Sequence, residues 1–363
     1  MAEKDFPTEA LKAWVNNFWL AAGSSAEEAM LTAEHLIGAN LAGHDSHGIG
    51  MVPRYTLSLM VDELKLNQQV AITSDTGAMI SVDAKRGMGQ SVTYQAMNIA
   101  IERAKQHGVC VMGLRHSHHL GRVGHWAEQA ISQGLVSIHF TNAVSQWWVA
   151  PHGGKQARFV TNPFTVGIPR PGAEPIVLDF ATSAIAQGKV RVAYNKGVPV
   201  PDNSLIDAHG NPTNNPGVLF ERDDGKLGAL VTAAGHKGYA LSMVCELLGA
   251  ALIGGETTTQ EHVFAKHGIW NNMLAIVFDP RKMGHMAWFE TQAREFTEWV
   301  QSSELAPGHD AILMPGDPER ASRKKRAMVM PIDDETIAQL DNAAKTINEK
   351  FGAKLPPVSS LAI

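Results

Sequence analysis

The sequence predicts a mixed α/β or α+β fold, and three observations carry that expectation. Stretches with apolar residues three and four apart occupy both ends of the chain. Short alternating or continuous apolar runs, the patterns of half-buried and buried strands, fill its middle. No G-x-G-x-x-G follows a strand-like run, and G-x-x-x-x-G-K-[ST] is absent, so a nucleotide held here is held without the Rossmann or P-loop device.

Taken in order, Pro7 opens a helix that ends near Gly23. Ser24 and Glu27 then read as a capping box for a second helix, whose stripe Ala29, Ala33, Leu36, Ile37 and Leu41 runs to Gly43. Residues 77–84 alternate like a strand, 90–106 form a helix stopped by Gly108, and 109–114 read as a buried strand. Residues 121–133 look helical, and 135–141, 164–168 and 176–178 extended. The Pro-, Asn-, Asp- and Gly-rich stretch 198–216 is expected to be loop and turns. Residues 237–252 make a buried helix with Leu241, Val244, Leu248 and Ala251 on one face, followed by a strand over 273–278 and helices over 288–301 and 334–351.

Composition narrows the function classes. The 363 residues suggest two or three domains at about 150 residues each. Hydrophobic residues make up 44% and charged residues 18%, which excludes wholesale disorder. With 31 Lys+Arg against 36 Asp+Glu the chain is slightly acidic, which argues against nucleic-acid or membrane partners. The run Arg323-Lys324-Lys325-Arg326 is then expected to be a solvated helix edge. Cys110 and Cys245 lie in apolar runs and read as buried free thiols. No stretch is long and apolar enough to span a membrane, and residues 1–6 carry no secretory signal, so a cytoplasmic location is expected.

Six segments, in five groups, carry chemistry. Gly43-His44-Asp45-Ser46-His47-Gly48 can bring two histidines, an Asp and a Ser together at a turn, either as acid/base groups or as local caps. Arg115-His116-Ser117-His118-His119-Leu120-Gly121-Arg122 ends a strand and opens a helix, where backbone N–H groups suit an anion such as a pyrophosphate. Its three histidines also admit a metal, although no fourth ligand follows from the spacing. Turns flank short strands at Thr161-Asn162-Pro163-Phe164 and Leu178-Asp179-Phe180-Ala181-Thr182-Ser183. The helix-opening Gly235-His236-Lys237-Gly238-Tyr239 and the turn Pro315-Gly316-Asp317-Pro318-Glu319 complete the set.

Asp45-Ser46-His47-Gly48 with Tyr55, Ser117-His118-His119-Leu120-Gly121, the turns at 161–164 and 178–183, Gly188-Lys189-Val190 and His236-Lys237-Gly238-Tyr239 resemble, in order and over nearly the whole chain, the second type of malate/L-lactate dehydrogenase family. The resemblance implies a non-Rossmann fold: a helical domain from both chain ends (1–75 with 327–363) and a cofactor- and substrate-binding region (76–326) around a largely antiparallel sheet. It implies a homodimer using NAD or NADP to interconvert 2-oxo and 2-hydroxy acids. His47 matches the family's proton donor/acceptor, with Ser46 beside it, and His119 matches a histidine that acts as acid/base or substrate contact in some members. Cofactor contacts would fall on His47, on Gly121, Arg122 and Val123, on Val177, Leu178, Asp179, Phe180 and Ala181, on His236 and Lys237, on Asn271, and on Gly316, Asp317, Pro318 and Glu319. No metal is implied.

The residue types suit that reading, because reducing a ketone builds negative charge on its oxygen that a nearby imidazolium can stabilise and protonate. Asp179 can orient a histidine or contact the cofactor. Many members carry an arginine at the position of Met51, apt for clamping a carboxylate; Arg54 and Arg122 are the conceivable substitutes. The apolar Met51 points to larger or aromatic 2-oxo acids, and Trp147 and Trp148 line the same pocket or sit in the core. The alternatives are a cyclic imino acid reductase on the same scaffold, a metal hydrolase using His44, His47, His116, His118 and His119, and an inactive binding protein.

Overall fold

The chain's two ends meet. In the computed structural model, which describes residues 3–259 and 267–363, strand β1 (Glu3–Pro7) precedes helices α1 (Thr8–Ala21), α2 (Ala26–Leu41) and α3 (Val52–Met60). The middle of the chain then builds β2 (Ala71–Asp75), β3 (Met79–Asp83), α4 (Gly89–His107), β4 (Val109–His118), α5 (Gly124–Ile131), β5 (Val136–Val144), β6 (Pro163–Ile168) and β7 (Ile176–Ala181). Helix α6 (Gln187–Lys196) leads to the two-residue strands β8 (Leu205–Ile206), β9 (Pro212–Thr213) and β10 (Ala229–Leu230). The chain closes with α7 (His236–Gly249), β11 (Trp270–Phe278), α8 (Met286–Gln301), α9 (Asp317–Arg326), β12 (Val329–Asp333) and α10 (Asp334–Phe351).

β1 pairs antiparallel with β12, so the N-terminal helices and α10 share one core containing Trp14, Phe18, Trp19, Leu36, Tyr55, Leu340 and Ile347. The central sheet runs β2-β3-β4-β11-β5-β6-β7 and is antiparallel except between β3 and β4. A second core under α4 and α5 includes Ala96, Met97, Met112, Trp126 and Met273. A smaller one around Val149, Val190, Leu205 and Leu230 joins α6 to the short strands. Cys110 and Cys245 are buried free thiols, as expected. Among the described residues, no helix is long and apolar enough to cross a membrane.

Four expectations change. Ser25, not Ser24, caps α2: its hydroxyl accepts the Glu28 N–H at 3.2 Å, while Ser24 donates to the Glu28 carboxylate at 2.7 Å. Helix α5 starts at Gly124 rather than Gly121, because Gly121 takes a left-handed φ of +72° and the Arg122 N–H turns to His35 Nε2. The buried face of α7 is Gly238, Ser242, Cys245, Glu246 and Gly249; Val244 is 36% and Leu247 52% exposed. Small residues face the sheet there because the helix lies so close that a Cβ on Gly249 would come within 2.6 Å of the Phe140 carbonyl. The 198–216 stretch holds β8 and β9, which pair with each other and with β10.

Candidate active site

The turn after α2 is held from two sides. Asn40 Oδ1 accepts the Ile49 N–H at 2.7 Å and its Nδ2 donates to Asp45 at 2.7 Å. Arg326 donates two bonds to the same Asp45 carboxylate, at 2.6 and 3.1 Å. A side chain at Gly48 would overlap Asn40, so the glycine allows the loop to close. Asp45 is thus the staple of this loop, and His47 is what the loop presents. His44 reaches across to Glu319 at 3.0 Å.

The end of β4 supplies the facing surface. The His47 and His119 rings lie nearly parallel, with centroids 5.5 Å apart. Ser46 Oγ is 3.0 Å from His47 Nδ1, and Tyr55 Oη is 2.6 Å from His119 Nδ1. His118 is wholly buried, its two ring nitrogens without partners and its ring edge-on to Tyr55. Desolvation dominates the electrostatics. Burial lowers His47 to about 4, helped by His44 and Arg122 and opposed by Asp179. It lowers His118 to about 3 and His119 well below the ordinary value. At neutral pH these imidazoles are neutral.

The cofactor segments foreseen in the sequence meet beside this pair. Asp179 accepts the Gly124 N–H at 2.8 Å, capping α5, and the Thr165 hydroxyl at 2.8 Å. Each oxygen already accepts one bond, Arg122 Nη1 lies 3.9 Å from Oδ2, and the carboxylate's charge favours the protonated form of His47. Arg122 is buried against Glu128 at 2.5 Å, and Glu128 also takes two bonds from Arg323 at 2.7 and 2.9 Å. Arg323 and Arg326 are therefore ion-pair partners within the chain, while Lys324 and Lys325 form the exposed edge that was expected of the whole run. The Val177 N–H donates to the Pro315 carbonyl at 3.2 Å, bringing β7 to the 316–319 turn. Val177, Gly316, Glu319, Arg320 and Arg323 line one cleft there. Asp317 is occupied by Met314 N–H and Arg320, and Pro318 opens α9. Leu178 is 36% exposed, while Phe180 packs edge-on to Phe164 and Ala181 pairs with Pro163.

Other foreseen residues do not touch the histidine pair. Asn271 is buried, donating to the Asn142 carbonyl at 2.8 Å and accepting the Leu120 N–H at 2.9 Å. His236 and Lys237 open α7, where His236 meets the His152 ring. His116 is bound between Asp83 and Glu256, Trp147 donates to the Thr258 carbonyl, and Trp148 packs in the third core. Among the described residues no cluster of three or more His, Cys, Asp or Glu could hold a metal ion.

Sequence reasoning missed Gln90, Asn40 and α6. Gly188 at the start of α6 comes so near Ser46 that a Cβ there would lie 2.8 Å from the serine Cβ. The glycine in Gly188-Lys189-Val190 was the available signal, since a glycine near a helix start can mark close approach of another backbone.

Comparison with known proteins decides the family. The model for malate/L-lactate dehydrogenases matches residues 6–341. The chain belongs to the malate/L-lactate dehydrogenase family. Hydroxycarboxylate dehydrogenase B of Escherichia coli (strain K12) is 44% identical over 347 residues, 94% of each chain. A solved E. coli structure of malate/lactate dehydrogenase type aligns with a TM-score of 0.91 at 43% identity, covering 98% of this chain and 99% of that one. The Delta(1)-pyrroline-2-carboxylate/Delta(1)-piperideine-2-carboxylate reductase of Pseudomonas syringae pv. tomato is 37% identical over 324 residues, 88% of this chain and 89% of that protein.

Membership in this family makes the protein a 2-hydroxycarboxylate dehydrogenase with a nicotinamide cofactor. The residues present suit such a group. The buried Gly121 and Val123 N–H groups have no partner among the described residues, and Arg122 Nη1 is buried without a hydrogen bond. Unspent donors at the start of a helix are what a pyrophosphate needs.

Proposed function

We propose that this enzyme interconverts 2-oxo and 2-hydroxy acids with His47 as proton donor and acceptor, using NAD or NADP. One observation carries the reading: a locked loop holds His47 against His119, and neither ring's Nε2 has a hydrogen-bond partner among the described residues. The turn 121–123, the strand 177–181 and the turn 316–319 would hold the cofactor, with Asn271 shaping the first of these from behind and His236 and Lys237 at the rim. When bound, the nicotinamide exchanges a hydride with the substrate's C2.

The protein's own contribution is proton handling and exclusion of water. Neutral His47 is suited to accept the hydroxyl proton of a 2-hydroxy acid. In the reducing direction, the carboxylate of an incoming 2-oxo acid favours the imidazolium, offsetting the effect of burial, so a proton enters with the substrate. Ser46 at Nδ1 keeps the ring oriented with Nε2 towards the reacting oxygen. Met51 packs part-buried against the helical core and offers no carboxylate clamp just after the His47 loop, which supports larger or aromatic 2-oxo acids. Cyclic imino acid reduction is the second reading, and the 37% identical reductase supports it. A homodimer is proposed as well: α8 leaves Trp288 67%, Phe296 64% and Trp299 71% exposed, an apolar face suited to a second copy.

Purified enzyme given phenylpyruvate and a cofactor deuterated at the nicotinamide C4 tests the reading. Deuterium at C2 of the hydroxy acid is expected with one of the two C4 epimers. Absence of product from phenylpyruvate, pyruvate and glyoxylate with either cofactor would overturn it.

A further inference from the structure

The protons around His119 can be traced from one carbonyl. Gln90 Nε2 lies 3.3 Å from the His119 main-chain oxygen, an atom that only accepts, so the NH2 end of the amide faces it. The same Nε2 lies 3.2 Å from Tyr55 Oη and donates to it. Tyr55 Oη has a single proton, and His119 Nδ1 is 2.6 Å away. If Nδ1 carried the hydrogen and donated to Tyr55, the phenol proton would be stranded, since no third acceptor lies within reach among the described residues. Tyr55 is fully buried and Gln90 is 1% exposed, so water does not relieve that loss.

We infer that Gln90 and Tyr55 are positioning residues that hold His119 as its Nε2–H tautomer, a fixed hydrogen-bond donor facing His47. The two histidines then divide the work. His47 moves the proton, while His119 donates to the substrate's C2 oxygen and stabilises the negative charge that builds there. Burial supports the division by keeping the His119 ring neutral and the Tyr55 proton on its oxygen. The role towards substrate rests on the function proposed above; the tautomer does not.

The test uses full-length enzyme labelled with [15N]histidine, read by two-bond proton–nitrogen correlation at neutral pH without substrate or cofactor. The His119 signals are assigned by their loss in His119→Gln. Wild type is expected to show a protonated Nε2 and an unprotonated Nδ1. In Tyr55→Phe both nitrogens should move towards a tautomer mixture, with kcat reduced roughly 10- to 100-fold, the loss seen when the partner that orients a metal-binding histidine is removed. Cofactor affinity should stay within about twofold, and Gln90→Leu should shift the spectrum the same way. A protonated Nδ1 in wild type, or Tyr55→Phe leaving both spectrum and turnover unchanged, overturns the inference. A substrate failure with the expected spectrum would count against the proposed reaction alone.

Discussion

Two polar regions lie near one end of the sheet and treat their hydrogen bonds in opposite ways. In the first, Asn142, Asn162, Asn271, Asn272 and Glu246 are all buried and all paired. The Glu246 carboxylate accepts from Asn162 at 2.8 Å, Asn142 at 3.1 Å and the Thr258 N–H at 3.0 Å. Asn272 donates to Asn142 at 3.0 Å and accepts the His116 N–H at 2.9 Å. In the second, both His118 nitrogens, Arg122 Nη1 and the Nε2 atoms of His47 and His119 have no hydrogen-bond partner among the described residues, although Arg122 Nη1 lies 3.9 Å from the Asp179 carboxylate. A buried polar group left unpaired costs about 1–3 kcal/mol. The difference supports the proposed division: the paired knot fixes the strand ends, and the unpaired groups around His47 and His119 suit the proposed site.

Substitutions on each side should fail differently. The largest effect belongs to the cleft: His47→Ala should lower turnover by roughly 10²–10⁴-fold with an unchanged circular dichroism spectrum, and full activity would remove His47 from the chemistry. Next comes the knot, where Glu246→Ala strands three buried donors and leaves a cavity. It should lose about 3 kcal/mol in urea unfolding, while the fraction that stays folded turns over normally.

Acid should expose the cleft's cost. His35, His47, His118, His119, His125 and His139 all have lowered pKa values in the fold, chiefly through burial. Below about pH 6.5 the unfolded chain binds protons that the fold refuses, so stability is full above that pH and falls as the pH drops towards 4. Unfolding should take up several protons in this window; a flat stability profile there would contradict the burial argument. Asn271→Ala should cost about 1–3 kcal/mol of stability through the orphaned Leu120 N–H. If cofactor affinity falls instead and stability holds, Asn271 belongs to the site. The smallest change is Met51→Arg, expected to shift the kcat/KM ratio of oxaloacetate over phenylpyruvate about tenfold upwards by adding a carboxylate partner. An unchanged ratio would place position 51 away from the substrate.

What could be read from the sequence follows the range of the interactions. Periodicity located α4, α8 and α10, and the glycine at 108, with φ +91°, ended α4 where expected. The pairing of β1 with β12 was hidden because Glu3, Lys4 and Asp5 are polar and the partner lies more than 300 residues away. The face of α7 was misplaced because close approach to β5 selects small residues over large apolar ones. His47, His119 and Asp179 were visible as residue types in motifs. The division of labour between them was not: it depends on Asn40, Gln90, Thr165 and Arg326, each ordinary in sequence and distant along the chain.

The central claim is that the unpaired histidine cleft reduces 2-oxo acids. Its most direct test follows NADH and NADPH oxidation with phenylpyruvate, 4-hydroxyphenylpyruvate, glyoxylate, pyruvate, oxaloacetate and a cyclic imino acid. Turnover led by the aryl or larger 2-oxo acids is the predicted result. Silence with every 2-oxo acid and both cofactors would contradict the claim.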